Sequence, residues 1–361
     1  MNLKKIVSEK LLSRRENIKL YSEGRSAKSV ACANLPLSVL VEVTSKCNLS
    51  CRMCNIHHNN RSGIDISQKL LEITYILAEV ANLIHSYGLG EALIRKDIVE
   101  IVGNYKLKGA FVSIVTNGML LKEDISRGFV EKSLDSLALS IDSANEKIFK
   151  DIRRGADLNI IKKNIKVLNE IKKSKNKNKP DLAMNVVIQK SNFYELADII
   201  RLAKELGIYY VTFSPITTHE HISEIQDEAI TPETLDWQGV LKRCFQEGER
   251  NNITINAERL YCILNGLFPE DFYKDKVPCP EPFRFFGIRA NGDVYPCCNW
   301  DVNSPLENIE GIDSVGDIIK IWRSERWKEL REAVIKNNYP EICRKCMNNF
   351  TRPFYDDCYS N

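Results

Sequence analysis

The sequence predicts an α/β fold: an open, partial (βα)6 TIM-like barrel followed by a small cysteine-rich C-terminal domain of a β-hairpin plus a helix. Three observations predict it. Short β-branched runs alternate with stretches whose apolar residues recur at helical spacing. The alternation occurs six times between residues 37 and 245, too few for a closed eight-fold barrel. From Cys279 onward Gly, Pro and Cys rise and the alternation stops.

Residues 1–36 read as an N-terminal helical extension, rich in Lys, Arg and Glu, with neither the apolar core nor the cleavage site of a signal peptide. The barrel spans 37–245, with strands expected at 37–44, 81–87, 110–115, 136–141, 182–188 and 210–213. Helices between them are clearest at 158–171 (LNIIKKNIKVLNEI) and 194–206 (YELADIIRLAKEL), where apolar residues fall at i, i+3, i+4 and i+7. The run KKSKNKNK at 172–179, before Pro180, reads as a solvated helix-to-strand turn. A helix at 231–250 leads through a bridging segment, 246–278, to the cysteine-rich domain, 279–361.

The 361 residues suit two domains, or one large domain with an appendage. A chain of this size buries enough surface to need no disulfides. Its net charge, 51 − 48 = +3, is too weak to imply nucleic acid or membrane as a partner. No apolar run approaches the roughly 20 residues that span a bilayer, and a cytoplasmic location is expected. The 12 cysteines are clustered: Cys47, Cys51 and Cys54 fall within eight residues, six more fall in the last 83, and 55–243 has none. In a reducing compartment such clusters point to metal or catalysis.

The first cluster lies in TSKCNLSCRMC (44–54), a C-x3-C-x2-C spacing directly after the first strand. A [4Fe–4S] cluster normally takes four cysteines, so three would leave one iron open. A zinc site, with His57 and His58 close by, and buried structural thiols are the alternatives. The second cluster begins CPEPFRFFGIRANGDVYPCC at Cys279, with Gly292 in a hairpin turn (ANGD), and Cys343 and Cys346 form a C-x2-C knuckle. Four cysteines so arranged can fully ligate one metal centre, iron–sulfur or zinc. Cys298 faces away from Cys297 along a strand and is its rival. Cys32, Cys244 and Cys262 read as buried residues.

The first spacing, its place after strand one and the partial barrel resemble the radical S-adenosylmethionine (SAM) superfamily. The resemblance implies that the open iron binds the amino and carboxylate groups of SAM, whose reductive cleavage releases a 5′-deoxyadenosyl radical. Residues 87–93 (YGLGEAL) are similar to the family's glycine–glycine–glutamate–proline turn, with Ala92 where proline is usual. Gly90 and Glu91 would then meet the methionine ammonium. TNG (116–118) and LSIDS (139–143) close strands three and four, where parallel α/β folds place their ligands. The cofactor contacts so implied are Met53, Gly90, Glu91, Thr116, Asn117, Ser140, Asp142 and Arg153. Arg153, with Arg154 as its neighbour, matches the family's carboxylate-binding arginine.

The C-terminal tail is similar to the SPASM and shorter twitch extensions of radical enzymes. That implies one auxiliary [4Fe–4S] cluster on Cys279, Cys297, Cys343 and Cys346, with Cys298 and Cys358 as candidate extra ligands. The SPASM pattern continues with further cysteines, of which only Cys358 is present. A fully ligated auxiliary cluster suits electron transfer. The leading expectation is therefore a radical SAM oxidoreductase that oxidises a substrate radical, a small-molecule or sugar-type dehydrogenation in a biosynthetic pathway. The alternatives are a ribosomal peptide maturase that cross-links or epimerises, and a non-catalytic metal-binding scaffold. Only 36 residues precede strand one, so a leader-binding module in cis is not expected. Cys244 or Cys262 would be the hydrogen donor of an epimerase. His219, Glu220 and His221, after strand six, are the substrate-contact candidates. An external one-electron donor of flavodoxin or ferredoxin type is implied, with no nucleic-acid or membrane partner.

Overall fold

Each β-branched run expected to be a strand is one in the computed structural model of the chain, which describes residues 12–54, 63–218, 222–231, 233, 236–257, 260, 264–265, 278–301 and 303–344. The strands are β1 (Ser38–Val41), β2 (Leu83–His85), β3 (Phe111–Thr116), β4 (Ser136–Ser140), β5 (Asp181–Ile188) and β6 (Tyr210–Pro215). They pair parallel in chain order. Along β3 to β6 alternate residues such as Ile114, Leu139, Met184 and Phe213 are fully buried against the helices. The residues between them are mostly half-buried and line the lumen.

The helices carry the matching periodicity. After α1 (Arg14–Ser26) they are α2 (Gln68–Leu77), α3 (Ile98–Leu107), α4 (Glu123–Glu131), α5 (Glu146–Ile152), α6 (Leu158–Ser174), α7 (Leu196–Glu205) and α8 (Trp237–Asn251). α6 buries Leu158, Ile161, Ile165, Leu168 and Ile171, and the Asp157 side chain caps its first turn. The N-terminal extension is tied under the barrel. Arg14 donates to the carbonyls of Ala78, Ala81 and Lys108, and the buried Asn17 donates to those of Leu35 and Val80.

Two features differ from the sequence reading. A seventh parallel strand, β7 (Thr254–Asn256), pairs with β6. The cysteine-rich hairpin is also not a separate sheet. Its first strand, β8 (Phe285–Ile288), lies parallel to β1, and β9 (Asp293–Tyr295) and β10 (Glu307–Asn308) follow antiparallel. One ten-stranded sheet results, in the order β10-β9-β8-β1-β2-β3-β4-β5-β6-β7. The reason is burial. All four residues of FFGI are buried, so β8 needs cover on both faces, as a strand inside a parallel α/β sheet does. Phe286 stacks on Trp327 at 5.5 Å, and α9 (Val315–Trp322) and α10 (Glu325–Ile335) close over it. The expected hairpin turn is present, with Gly292 at φ +82° and its N–H donating to the Arg289 carbonyl. Among the described residues no helix is long and apolar enough to cross a membrane.

Candidate cluster and cofactor site

The loop after β1 brings Cys47, Cys51 and Cys54 to the carboxyl end of the sheet. It is strapped to the end of α5: Ser50 N–H donates to the Arg154 carbonyl and Arg52 N–H to that of Ile152, both at 3.0 Å. The Arg52 side chain adds an ion pair to Asp151 at 2.9 Å and another to Glu228 at 2.8 Å. Burial pushes the Cys47 thiol up to about 11, and Glu91, Cys51 and Cys54 push it the same way. Burial likewise raises the Cys51 thiol, against the nearby charge of Arg153.

Three thiols close enough to feel one another's charge fit a cluster that takes them as thiolates and relieves that repulsion. Three cysteines, one fewer than a [4Fe–4S] cluster normally takes, would leave one iron of a cubane open. His57 and His58, the further ligands a zinc site would use, lie outside the described residues.

The GLGEA turn is stitched to this loop. Glu91 N–H donates to the Lys46 carbonyl at 2.8 Å, and a Cβ on Gly90 would stand 2.3 Å from the Thr44 carbonyl oxygen. The Glu91 side chain is 3% exposed. It accepts from Thr116 Oγ1 at 2.7 Å, Asn117 N–H at 2.8 Å and Leu93 N–H at 3.1 Å. Burial raises its pKa, while those donors oppose the rise. The carboxylate is thus spent on the fold. Asn117 Nδ2 donates to Asn48 Oδ1 at 2.9 Å, so the strand-three motif also orients the cluster loop.

Asp142 differs from its expected ribose or carboxylate contact. It is fully buried, its Oδ1 accepts Val187 N–H at 2.8 Å, and its Oδ2 stands 2.7 Å from Arg153 Nε as an ion pair angled away from a hydrogen bond. Asp142 positions Arg153. Among the described residues the terminal amino groups of Arg153 have no hydrogen-bond partner, and its side chain is 11% exposed. Ser140 faces the lumen, and Met53, in the cluster loop, is half-buried and packs, as Val187 does, against the group of Ile216, Ile222 and Ile225.

Cys279, Cys297 and Cys343 line one cavity with Pro282, Trp300 and Tyr339. Cys298 is exposed beside Asn299 and stays outside it. Cys346 and Cys358 lie outside the described residues, as do Cys262, His219, Glu220 and His221. Cys244 is fully buried on α8, its thiol pushed up to about 12 by burial. It lies with Val240, Leu241 and Gly248 on the buried face of the helix.

Sequence reasoning named Ser140 but missed the polar row that continues from it. Ser140, Asn185, Thr212 and Asn256 are register neighbours across β4 to β7, and His85 Nδ1 meets Ser113 Oγ at 2.7 Å on β2 and β3. It also missed Glu42, whose signal was a lone charge inside the apolar run LVEV.

Residues 41–179 match the radical SAM superfamily, and residues 279–347 match SPASM, an iron–sulfur cluster-binding domain. A tungsten-containing aldehyde ferredoxin oxidoreductase cofactor-modifying protein of Pyrococcus furiosus is 25% identical over 346 residues, 89% of this chain and 91% of that one. A PqqA peptide cyclase of Granulibacter bethesdensis is 27% identical over 331 residues, 86% of this chain and 79% of that one. The fold is also that of Streptococcus suis SuiB, solved bound to its precursor peptide SuiA. The TM-score is 0.66 at 16% identity, over 92% of this chain and 75% of that one.

Proposed function

Since the chain belongs to the radical SAM superfamily and carries its SPASM iron–sulfur domain, we propose that it modifies a peptide, joining or altering side chains after synthesis. When bound, the cluster on Cys47, Cys51 and Cys54 together with SAM supplies a 5′-deoxyadenosyl radical. The chain's own residues hold and orient. The backbone at Gly90 and Glu91 faces the methionine ammonium, Arg153 takes the carboxylate, and Ser140 faces the sugar. Cross-linking removes two hydrogens from the peptide, one as an atom and one as a proton plus an electron. The site of Cys279, Cys297, Cys343 and Cys346 is where an acceptor for that electron would be held.

The observation that carries the peptide reading is the likeness to PqqA peptide cyclases over most of the chain, and the wall of the barrel is compatible with it. None of the residues of β2 to β7 is Lys or Arg. Ser140, Asn185 and Thr212 have no hydrogen-bond partner for their side chains among the described residues. Neutral donors and acceptors of this kind suit peptide amides, whereas a polyphosphate needs cations. The wall would suit the hydroxyls of a sugar as well, so the small-molecule dehydrogenation expected from sequence is set apart by the likeness to the peptide cyclases alone.

The test is anaerobic incubation of the reconstituted protein with SAM, dithionite and candidate peptides, read by mass spectrometry. Loss of two hydrogens from a peptide supports cross-linking, and deuterium uptake from D2O at unchanged composition supports epimerisation. Turnover of a sugar alcohol with every peptide untouched would contradict the reading.

A further inference from the structure

The turn at 87–93 is held from two sides. The Lys46 carbonyl accepts Glu91 N–H at 2.8 Å, and Glu42 Oε2 accepts Leu89 N–H at 2.9 Å. The same Glu42 oxygen takes Arg289 Nη1 at 2.7 Å. Arg289 comes from the C-terminal hairpin, directly after β8. Its N–H donates to the Asp293 carbonyl at 2.9 Å and its guanidinium lies 5.4 Å from the Tyr295 ring centroid. Glu42 is buried, its side chain 4% exposed, and Arg289 is mostly covered, its side chain 11% exposed. The turn leaves room for them, since a Cβ on Gly88 would stand 2.3 Å from Glu42 Oε2.

A buried carboxylate stays ionised and in place only while it is paired. Without Arg289, Glu42 is left as an unpaired buried charge and turns toward water, which displaces the acceptor that fixes Leu89. We infer that Arg289 is a positioning residue for the turn that receives the methionine end of SAM, which makes the C-terminal domain part of the SAM site as well as the seat of a second cluster. The inference rests on the reading above, in which the backbone at Gly90 and Glu91 meets the ammonium. The coupling acts through the Arg289–Glu42 ion pair and the hydrogen bond from Leu89 N–H to Glu42, and it reaches the turn without touching SAM.

The experiment measures SAM affinity by equilibrium dialysis on the anaerobically reconstituted full chain, with iron content and visible absorbance recorded for every variant. Arg289→Ala and Glu42→Ala raise the Kd about tenfold or more at wild-type iron content, and the double variant is no worse than either single one. Arg289→Lys, which keeps the charge, recovers part of the affinity. If Arg289→Ala does not fold, Arg289→Lys and Glu42→Gln carry the comparison. Lys69→Ala is the control. It breaks another contact across the same junction, the Lys69–Asp313 ion pair, and leaves the Kd unchanged. The inference is overturned if the Arg289 and Glu42 variants bind SAM as the wild type does, or if Lys69→Ala weakens binding as much as Arg289→Ala. Wild-type protein that binds no SAM overturns the underlying reading, whereas equal binding by wild type and variants overturns the brace alone.

Discussion

Arg289 and Glu42 are 247 positions apart in the chain, and their side chains meet at 2.7 Å between the C-terminal hairpin and the first barrel strand. Removing one partner of a buried pair leaves the other charge stranded, at a cost of about 3–5 kcal/mol. Arg289→Ala is expected to destabilise the chain by about that much, read from urea midpoints at constant m. Replacing both partners by apolar residues (Glu42→Leu with Arg289→Met) costs much less, because no charge is left unpaired.

Glu91 is the acceptor hub of the site, taking two main-chain N–H groups and the Thr116 hydroxyl. Glu91→Gln turns one accepting oxygen into a donor that faces another donor. Leaving buried groups unsatisfied costs about 1–3 kcal/mol. The variant should therefore be less stable by that amount and should bind SAM more weakly even when its clusters are fully loaded. Dialysis on reconstituted protein checks the second point.

The two adjacent cysteines of the hairpin should separate cleanly. Cys297 lines the cavity shared with Cys279 and Cys343, while Cys298 is exposed. Wild-type protein should carry about eight irons per chain, and Cys297→Ala about four, with the radical-generating cluster retained. Cys298→Ala should keep the wild-type count. Iron analysis with electron paramagnetic resonance of the reduced protein checks all three.

His85 gives a pH signature. Burial, and then the charge of Arg284, lower its pKa from 6.5 to about 4 in the folded chain. The unfolded chain therefore binds the proton first as pH falls. Stability is unaffected by this residue above pH 6.5 and declines as pH drops from 6.5 toward 4. His85→Gln should flatten that part of the profile, measured as urea midpoints between pH 7 and pH 5 against wild type.

Much of this was legible in the sequence because it depends on local pattern. Six β-branched runs announced six strands, and C-x3-C-x2-C after the first of them located the cluster loop. ANGD placed the turn that carries Gly292. What was hidden depends on distant partners. β7 has only three residues and no pattern of its own. FFGI signals a buried strand but does not say that β1 is its neighbour. Asp142 looked like a ligand contact because carboxylates at strand ends often are, yet its charge is used by Arg153. A pair such as Glu42 and Arg289 appears only once β8 has docked on the sheet.

The central claim is that the loop of Cys47, Cys51 and Cys54 holds a cluster that cleaves SAM. The most direct measurement is 5′-deoxyadenosine formation by the reconstituted protein with SAM and dithionite under strict anaerobiosis, beside a Cys47→Ala variant prepared identically. The wild type should form product well above the variant's background. Equal traces from both proteins would contradict it.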